Sequence, residues 1–398
     1  MTLKRRLYSG REVRRAQNIA ELRAMAAARL PNFCLEYLEG GADDELTLHR
    51  NRASYDAIAF TPRTLVDVSV RDPGCTLFGE RIEMPAVIAP TGFNGLLAHE
   101  GDLALAEAAR EAGIPMCQSM VSTVALERVA ETGVRHWMQI YPFKDRENLA
   151  GIVRRAEAAG SEAIVVTTDV PLLGNREWDR RNYRAPMKLD VANLVNVAMR
   201  PKWWWDVLVP HGMPRFCNLG DILPPGQDDA RNAATFLSRQ MDPSLSWQDV
   251  QWLRDLWPRK LIIKGIVRPD DALRARALGA DALVITNHGG RQLDSCVAPI
   301  EVLPEIRAAV GPGMTLIVDS GLRRGGDFVK ARALGADAAM SGRATLYGLA
   351  AGGRAGVAHA LAILRAEIDR TLGLLGCPAL TDLGPDWVSG AAAMRGAA

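Results

Sequence analysis

One eight-residue string occurs twice in this chain, letter for letter: Ala275-Arg-Ala-Leu-Gly-Ala-Asp-Ala282 and Ala331-Arg-Ala-Leu-Gly-Ala-Asp-Ala338. Each copy closes a helical pattern, turns at a glycine and enters a short apolar run. Glycine suits the left-handed residue that ends a helix, so the string reads as a helix-to-strand joint. Looser versions occur at Glu111-Ala-Gly-Ile114 and Ala158-Ala-Gly-Ser161. A chain that repeats this joint alternates helices with strands, and such alternation gives a parallel sheet.

The apolar runs that follow this logic are Pro85–Pro90, Pro115–Gln118, His136–Tyr141, Ala163–Thr168, Leu261–Gly265, Ala282–Thr286, Thr315–Asp319 and Ala338–Ser341. Helical patterns separate them, as at Asp102–Ala112, Arg146–Ala159, Trp247–Leu256 and Asp327–Leu334. Apolar residues on both faces are what parallel strands require. Eight such units predict an α/β fold, a (β/α)8 TIM barrel. An open doubly wound sheet is the alternative, and its nucleotide signature is missing. The barrel is expected over residues 84–380, preceded by a helical cap at 1–83 and followed by a tail at 381–398. Residues 170–245 form an oversized connection after the fourth strand, and loops that long are usually functional.

A formal charge of +2 over 398 residues gives no reason to expect nucleic acid as a partner. The basic start (Lys4, Arg5, Arg6, Arg11, Arg14, Arg15) is not followed by an apolar core, so no secretory leader is expected. No uncharged apolar run reaches the ~18 residues needed to span a bilayer. Six scattered cysteines without a Cys-x-x-Cys pair argue against a zinc site or a disulfide framework and fit a reducing, cytoplasmic compartment. No metal is expected.

Polar residues gather where the strands should end: Thr91, Gln139, Tyr141, Thr167, Asp169, Lys264, His288, Asp319 and Arg343. In a barrel that rim carries the active site. The richest stretch is Thr286-Asn-His-Gly-Gly-Arg-Gln-Leu-Asp294. It sets a histidine and an arginine three residues apart beside glycines that let a ligand approach the backbone. A base next to a fixed cation suits proton removal from a substrate that bears a carboxylate. Lys264 interrupts an apolar strand, and a buried lysine is costly unless it meets negative charge. The glycines of Asp319-Ser-Gly-Leu-Arg323 and Gly342-Arg343 expose backbone N–H groups at the ends of strands seven and eight, where many barrels hold phosphate.

Thr286–Asp294 resembles the active-site signature of the FMN-dependent L-2-hydroxy-acid dehydrogenases and oxidases, the glycolate oxidase-like family. The resemblance runs from about Leu30 to Cys377. Leu38-Glu-Gly-Gly-Ala42, Pro90-Thr-Gly-Phe-Asn-Gly95, His211-Gly-Met-Pro214, Ser238-Arg-Gln-Met-Asp242 and Gly342-Arg-Ala-Thr-Leu-Tyr-Gly348 are similar to its mandelate-oxidising branch. The resemblance implies oxidation of a small L-2-hydroxy acid, (S)-mandelate ahead of L-lactate, to the 2-keto acid. Electrons pass to FMN and then to a quinone or other carrier, or in an oxidase to oxygen.

The same resemblance implies roles for single residues. His288 is the catalytic base, and Asp169 orients it, although an aspartate after a strand also serves as a helix cap. Arg291 and Arg176 hold the substrate carboxylate, where surface ion pairs are the plainer reading. Tyr141 meets the reacting oxygen, and Tyr37 touches the carboxylate unless it is only core. Ser119, Gln139, Thr167 and Thr286 face the flavin ring, with Lys264 near its developing negative charge. Thr286 stands where the family more often has serine, and the hydroxyl is kept. Pro90, Thr91 and Gly92 pass the flavin's reactive edge. Asp319, Ser320, Gly321, Leu322, Arg323, Gly342 and Arg343 surround the ribityl phosphate. Oxidases tend to carry alanine at the position of Gly92, so glycine leans towards a dehydrogenase. Val121 stands at a pocket position that is bulkier in glycolate oxidase-like relatives, which leaves room for a ring.

Within the long connection, Pro201-Lys-Trp-Trp-Trp-Asp206 is flanked by Val195, Val197, Met199, Val207, Leu208 and Val209. Tryptophan beside Lys202 and Arg200 suits a membrane interface, and the family resemblance implies that residues 190–215 lie peripherally on the inner face of the cell membrane. Packing of the same tryptophans on the barrel or on a neighbouring subunit is the alternative. Relatives imply a homo-oligomer, a tetramer.

Overall fold

The computed structural model describes residues 6–8, 10–185, 188–209, 211–220, 222–223, 235–237 and 239–390. Lys4 and Arg5 of the basic start, Pro210 and Ser238 of the long connection, and residues 391–398 of the tail lie outside the described residues.

Eight parallel strands close into a barrel: β1 (Ala86–Ile88), β2 (Met116–Ser119), β3 (His136–Ile140), β4 (Ala163–Thr167), β5 (Lys260–Ile266), β6 (Ala282–Ile285), β7 (Thr315–Val318) and β8 (Ala338–Ser341). Closure comes from β8 against β1, with Ala339, Met340 and Ser341 opposite Ala86, Val87 and Ile88. Both copies of the repeated string end where expected, with Gly279 and Gly335 in the left-handed region before β6 and β8. Several strands stop one or two residues short of the expected apolar run. Tyr141, Thr168 and Thr286 are therefore rim residues rather than strand residues.

Side chains alternate along a strand, so every second residue points into the barrel. Val87, Cys117, Trp137, Val165, Ile262, Val284, Ile317 and Met340 fill one inward layer without polar atoms, apart from the Trp137 ring nitrogen, which meets Glu162. Two residues on, the same parity brings Ala89, Ser119, Gln139, Thr167, Lys264, Thr286, Asp319 and Gly342 to the C-terminal end. The barrel is thus apolar at mid-height and polar at the rim.

Three helices, α1 (Ile19–Arg29), α2 (Asn32–Glu39) and α3 (Leu46–Asp56), precede the barrel. The segments from α2 to α3 reach the C-terminal rim, where Ala42 N–H donates to Gly290 O at 2.9 Å. The opposite end is sealed by something the helical expectation omitted, an antiparallel hairpin of Cys75–Leu77 and Glu80–Ile82. Its Leu77 and Ile82 join the inward apolar layer, and Arg135, just before β3, donates to Leu77 O at 3.1 Å. Val388–Ser389 returns to pair with Ala59–Phe60, so this part of the expected tail belongs to the fold.

The long connection after β4 contains helices Glu177–Arg181, Val191–Ala198 and Pro201–Val207 and a short antiparallel pair, Tyr183–Ala185 with Lys188–Leu189. Trp203 fixes it to the barrel. Its ring is 1% exposed, its Nε1 donates to Leu96 O at 2.7 Å, and it meets Phe33 edge-on.

Candidate active site

A pocket opens at the C-terminal rim, and sixteen of the catalytic, substrate and flavin candidates line it together with Val121. The other five, Asp169, Ser119, Gln139, Thr167 and Thr286, stand directly behind its wall as hydrogen-bonded supports. Pocket and polar barrel layer are one construction.

His288 follows β6 with a φ of 60°. This left-handed backbone is unusual for a side-chain-bearing residue and marks a held position. The glycines after it are needed for approach, since a Cβ on Gly290 would lie 2.7 Å from Leu48 Cα of α3. Three contacts fix the turn. Thr286 Oγ1 accepts from His288 N–H at 3.0 Å, Ser320 Oγ accepts from Gly289 N–H at 3.0 Å, and Asn287 Oδ1 accepts from Gly290 N–H at 3.2 Å. Asn287 is itself paired reciprocally with Asn51 of α3, at 2.7 and 2.9 Å. The signature's last residue, Asp294, accepts from the N–H groups of Leu46 and Thr47 at the start of α3.

His288 Nδ1 is 2.9 Å from Asp169 Oδ1. The carboxylate thereby holds Nδ1 as the N–H and leaves Nε2 free to accept a proton. Burial holds the imidazole below its usual pKa, with Asp169 opposing and Lys264 assisting, so the resting ring is a neutral base. For Asp169, burial alone would raise the carboxyl. His288 and Lys264 outweigh it and hold Asp169 below the ordinary range. The position of Asp169 depends on a bulge in β5. Gly265 has a φ of 121°, and a Cβ there would meet Asp169 N at 2.8 Å and Thr168 Oγ1 at 2.7 Å.

Arg291 and Arg176 reach the same pocket. Arg291 Nη1 donates to Tyr37 O and Gly40 O, both at 2.8 Å, and its guanidinium lies 5.2 Å from the Tyr37 ring centre. Burial penalises its charge, as do Arg176 and Arg343 nearby. An arginine remains charged in such surroundings, so an anion here would relieve the crowding. Arg176 donates weakly to Gln292 Oε1 and Arg291 O, both at 3.3 Å. Tyr37 and Tyr141 are both pushed above the usual phenol range, chiefly by burial, and stay O–H donors. Tyr37 Oη donates to Gly92 O at 3.3 Å.

The flavin candidates form a ladder. Ser119 Oγ donates to Gln139 Oε1, and Gln139 Nε2 donates to Thr167 Oγ1, both at 2.9 Å. On the neighbouring strand, in register with Thr167, Lys264 is 3% exposed and has its Nζ 3.9 Å from Asp319 Oδ2, which also accepts from Thr286 Oγ1 at 2.9 Å. At the far side, helix Arg343–Leu375 begins at Gly342, and its first internal N–H bond is from Thr345. The earlier N–H groups and the helix dipole there favour an anion. Arg323 borders the same space. The Arg343 side chain, however, is turned to the carbonyls of Leu38, Glu39, Gly40 and Gly289, so a phosphate here would meet the backbone of Arg343 rather than its guanidinium. A cationic end and a polar ladder beside a buried ammonium fit a phosphate-bearing, electron-accepting ring cofactor.

Sequence reasoning passed over Gln292, Asp179, Asn51 and Asn287. Gln292 Nε2 donates to Leu172 O at 2.8 Å and ties the start of the long connection to the signature. Its place inside the signature was the available signal. Asp179 stands three residues after Arg176, with Oδ2 3.9 Å from Arg291 Nη2. The pocket's apolar wall also draws Phe216, Leu237 and Met241 from the long connection, which nothing in their spacing announced. Among the described residues no cluster of side chains could hold a metal ion.

Such a rim defines the class: a barrel in which one pocket joins a histidine base, two guanidiniums and a cationic end suited to a redox cofactor. Residues 26–390 match the family model described as FMN-dependent dehydrogenase. The chain is 44% identical to the (S)-mandelate dehydrogenase of Pseudomonas putida over 373 residues, 93% of each chain. It is 41% identical to the L-lactate oxidase of Nostoc sp., covering 92% of this chain and 96% of that one. Among solved structures, monotopic membrane protein (S)-mandelate dehydrogenase superposes with a TM-score of 0.90 at 43% identity, covering 94% of this chain and all of that one. The chain belongs to the FMN-dependent dehydrogenase family. Membership implies FMN as its cofactor.

Proposed function

We propose that this FMN-dependent dehydrogenase oxidises (S)-mandelate, or a close aromatic 2-hydroxy acid, to the 2-keto acid and passes the electrons to a membrane quinone or similar carrier. The observation that carries the reading is the pairing of two surfaces in one pocket. The neutral base His288 and the guanidiniums of Arg291 and Arg176 line the same pocket as the apolar Val121, Phe93, Phe216, Leu237 and Met241. The charged groups suit a carboxylate, and the apolar ones suit a phenyl ring.

The residues would act as follows. Arg291 and Arg176 bind the substrate carboxylate, a geometry that guanidinium forks match. Tyr37 stands beside Arg291, and Tyr141 donates its O–H to the reacting oxygen. His288 Nε2 takes a proton, and Asp169 stabilises the imidazolium through Nδ1–H, as carboxylates do in other histidine pairs. Ser119, Gln139, Thr167, Thr286 and Lys264 would hold the ring of FMN. Lys264 offsets charge, and the backbone around Asp319–Arg323 and Gly342–Arg343 holds the phosphate. Bound FMN supplies the two-electron acceptor. Gly92 supports a dehydrogenase over an oxidase. A Cβ there would lie 2.5 Å from Val121 Cγ2, so alanine would reshape the wall beside Pro90–Gly92.

Peripheral membrane attachment through residues 190–215 completes the reading. Val191, Leu194, Val195, Met199, Trp205, Val209 and Met213 are exposed, with Lys202 and Arg200 beside them. Among the described residues no helix is long and apolar enough to cross a membrane. An apolar surface of this kind beside basic residues suits the lipid interface.

Anaerobic mixing of the FMN-loaded protein with (S)-mandelate and, separately, with L-lactate tests the substrate. Fast bleaching of the flavin by mandelate is expected. Faster bleaching by lactate would transfer the protein to the lactate-oxidising branch.

A further inference from the structure

Asp179 lies on the helix Glu177–Arg181, which Arg176 precedes as its N-cap, and the Arg176 guanidinium is among the charges that act on it. Its Oδ2 is 3.9 Å from Arg291 Nη2. Its Oδ1 is buried without a hydrogen-bond partner among the described residues. A carboxylate left bare in this way is costly and calls for a compensating role. Burial raises its pKa, opposed by Arg291, Arg176 and Arg343 in turn. Three guanidiniums therefore act on one carboxylate.

Arg291 does not need Asp179 for its orientation. Two carbonyls at 2.8 Å and the Tyr37 ring already fix it. At 3.9 Å the carboxylate is too distant to accept a hydrogen bond. What Asp179 brings is charge. An anion lodged on Arg291 and Arg176 meets that second negative charge close by, where burial leaves little water to screen it.

We infer that Asp179 is a specificity-determining counter-charge in the carboxylate clamp: it weakens the grip of Arg176 and Arg291 on anions, so that a monoanionic keto acid leaves and the hold on dianions is weakened more. The inference rests on the proposed role of those arginines in binding the substrate carboxylate.

The test uses the FMN-loaded enzyme and its variants Asp179→Asn, Asp179→Glu and Arg176→Met. Each is titrated with phenylglyoxylate, a monoanion, and oxalate, a dianion, followed by flavin absorbance. Thermal melting and flavin content are read in parallel. Asp179→Asn should bind phenylglyoxylate about tenfold more tightly, the factor of one pKa unit of interaction. It should tighten on oxalate by a larger factor, and KM for mandelate should fall. Asp179→Glu, which keeps the charge, should stay near the parent. Unchanged or weaker anion binding in Asp179→Asn would overturn the inference. If Arg176→Met weakens both anions while Asp179→Asn does not tighten them, the counter-charge alone fails. If Arg176→Met leaves anion binding unchanged, the clamp itself is wrongly assigned and the inference falls with it.

Discussion

His288 Nδ1 is 2.9 Å from Asp169 Oδ1, while Asp169 Oδ2 has no hydrogen-bond partner among the described residues. The carboxylate is thus directed at one ring nitrogen, and burial keeps that ring neutral at rest. Because the base must be neutral in the free enzyme, kcat/KM should rise with pH and level off. A depressed imidazole pKa places the acid limb below the ordinary value of about 6.5. A pH profile of kcat/KM measures it, and a limb well above that value would contradict a neutral resting base.

Replacing Asp169 with asparagine removes the attraction that raises the His288 pKa and the charge that stabilises its protonated form. The variant should lose roughly 10⁴-fold in kcat, the size of loss known for an orienting carboxylate of this kind. Its acid limb should move to still lower pH. Both changes are read from one set of profiles, and loss of rate without movement of the limb would reduce Asp169 to a structural support.

Gly265→Ala tests the bulge in β5. The new Cβ would sit at a φ of 121° and 2.8 Å from Asp169 N. We expect a loss of about 1–3 kcal/mol in stability from overlap and strain. Displacement of Asp169 should also lower kcat/KM by at least roughly tenfold, since small misplacements near a base are costly. Melting and steady-state rates check the two effects separately.

The chain announced its barrel through period and repeat. The duplicated joint gives helix, glycine turn and strand, and the observed strands β6 and β8 begin where it says. The polar rim was also legible, because a strand's parity fixes which residues face inward. Ile262 and Lys264 share a face, as do Trp137 and Gln139. The Cys75–Ile82 hairpin was not legible, since its strands are three residues each and carry no long apolar alternation. The direction of the Arg343 side chain was equally hidden. Three of its four partners are carbonyls of α2 and the turn after it, some 300 positions away, and only folding brings them together. Asp179 escaped notice because its meaning lies in Arg291, far off in sequence and near only across the rim.

Asn51 and Asn287 exchange two hydrogen bonds inside the structure and hold the His288 turn against α3. Asn51→Ala leaves both polar atoms of that contact on Asn287 without this partner. Deleting one side of a buried pair costs about 1–3 kcal/mol. The melting temperature should fall, and KM should rise as the Gly289–Arg291 segment loosens. An unchanged melting temperature would show that the pair is not a structural tie.

Two tryptophans two residues apart separate the roles of the long connection. Trp203 is buried at 1% exposure, with its Nε1 on Leu96 O, whereas Trp205 is 61% exposed. Trp203→Ala should therefore destabilise the protein by about 3–5 kcal/mol, as for other large buried rings. Trp205→Glu removes an exposed ring and adds a charge that lipid rejects, without disturbing the core. It should leave melting and rates with a soluble electron acceptor unchanged while the protein leaves the membrane fraction. Sedimentation with vesicles of anionic lipid decides the matter. If Trp205→Glu sediments with them like the parent, the exposed ring does not meet lipid, and the expectation that these tryptophans serve a neighbouring subunit takes its place.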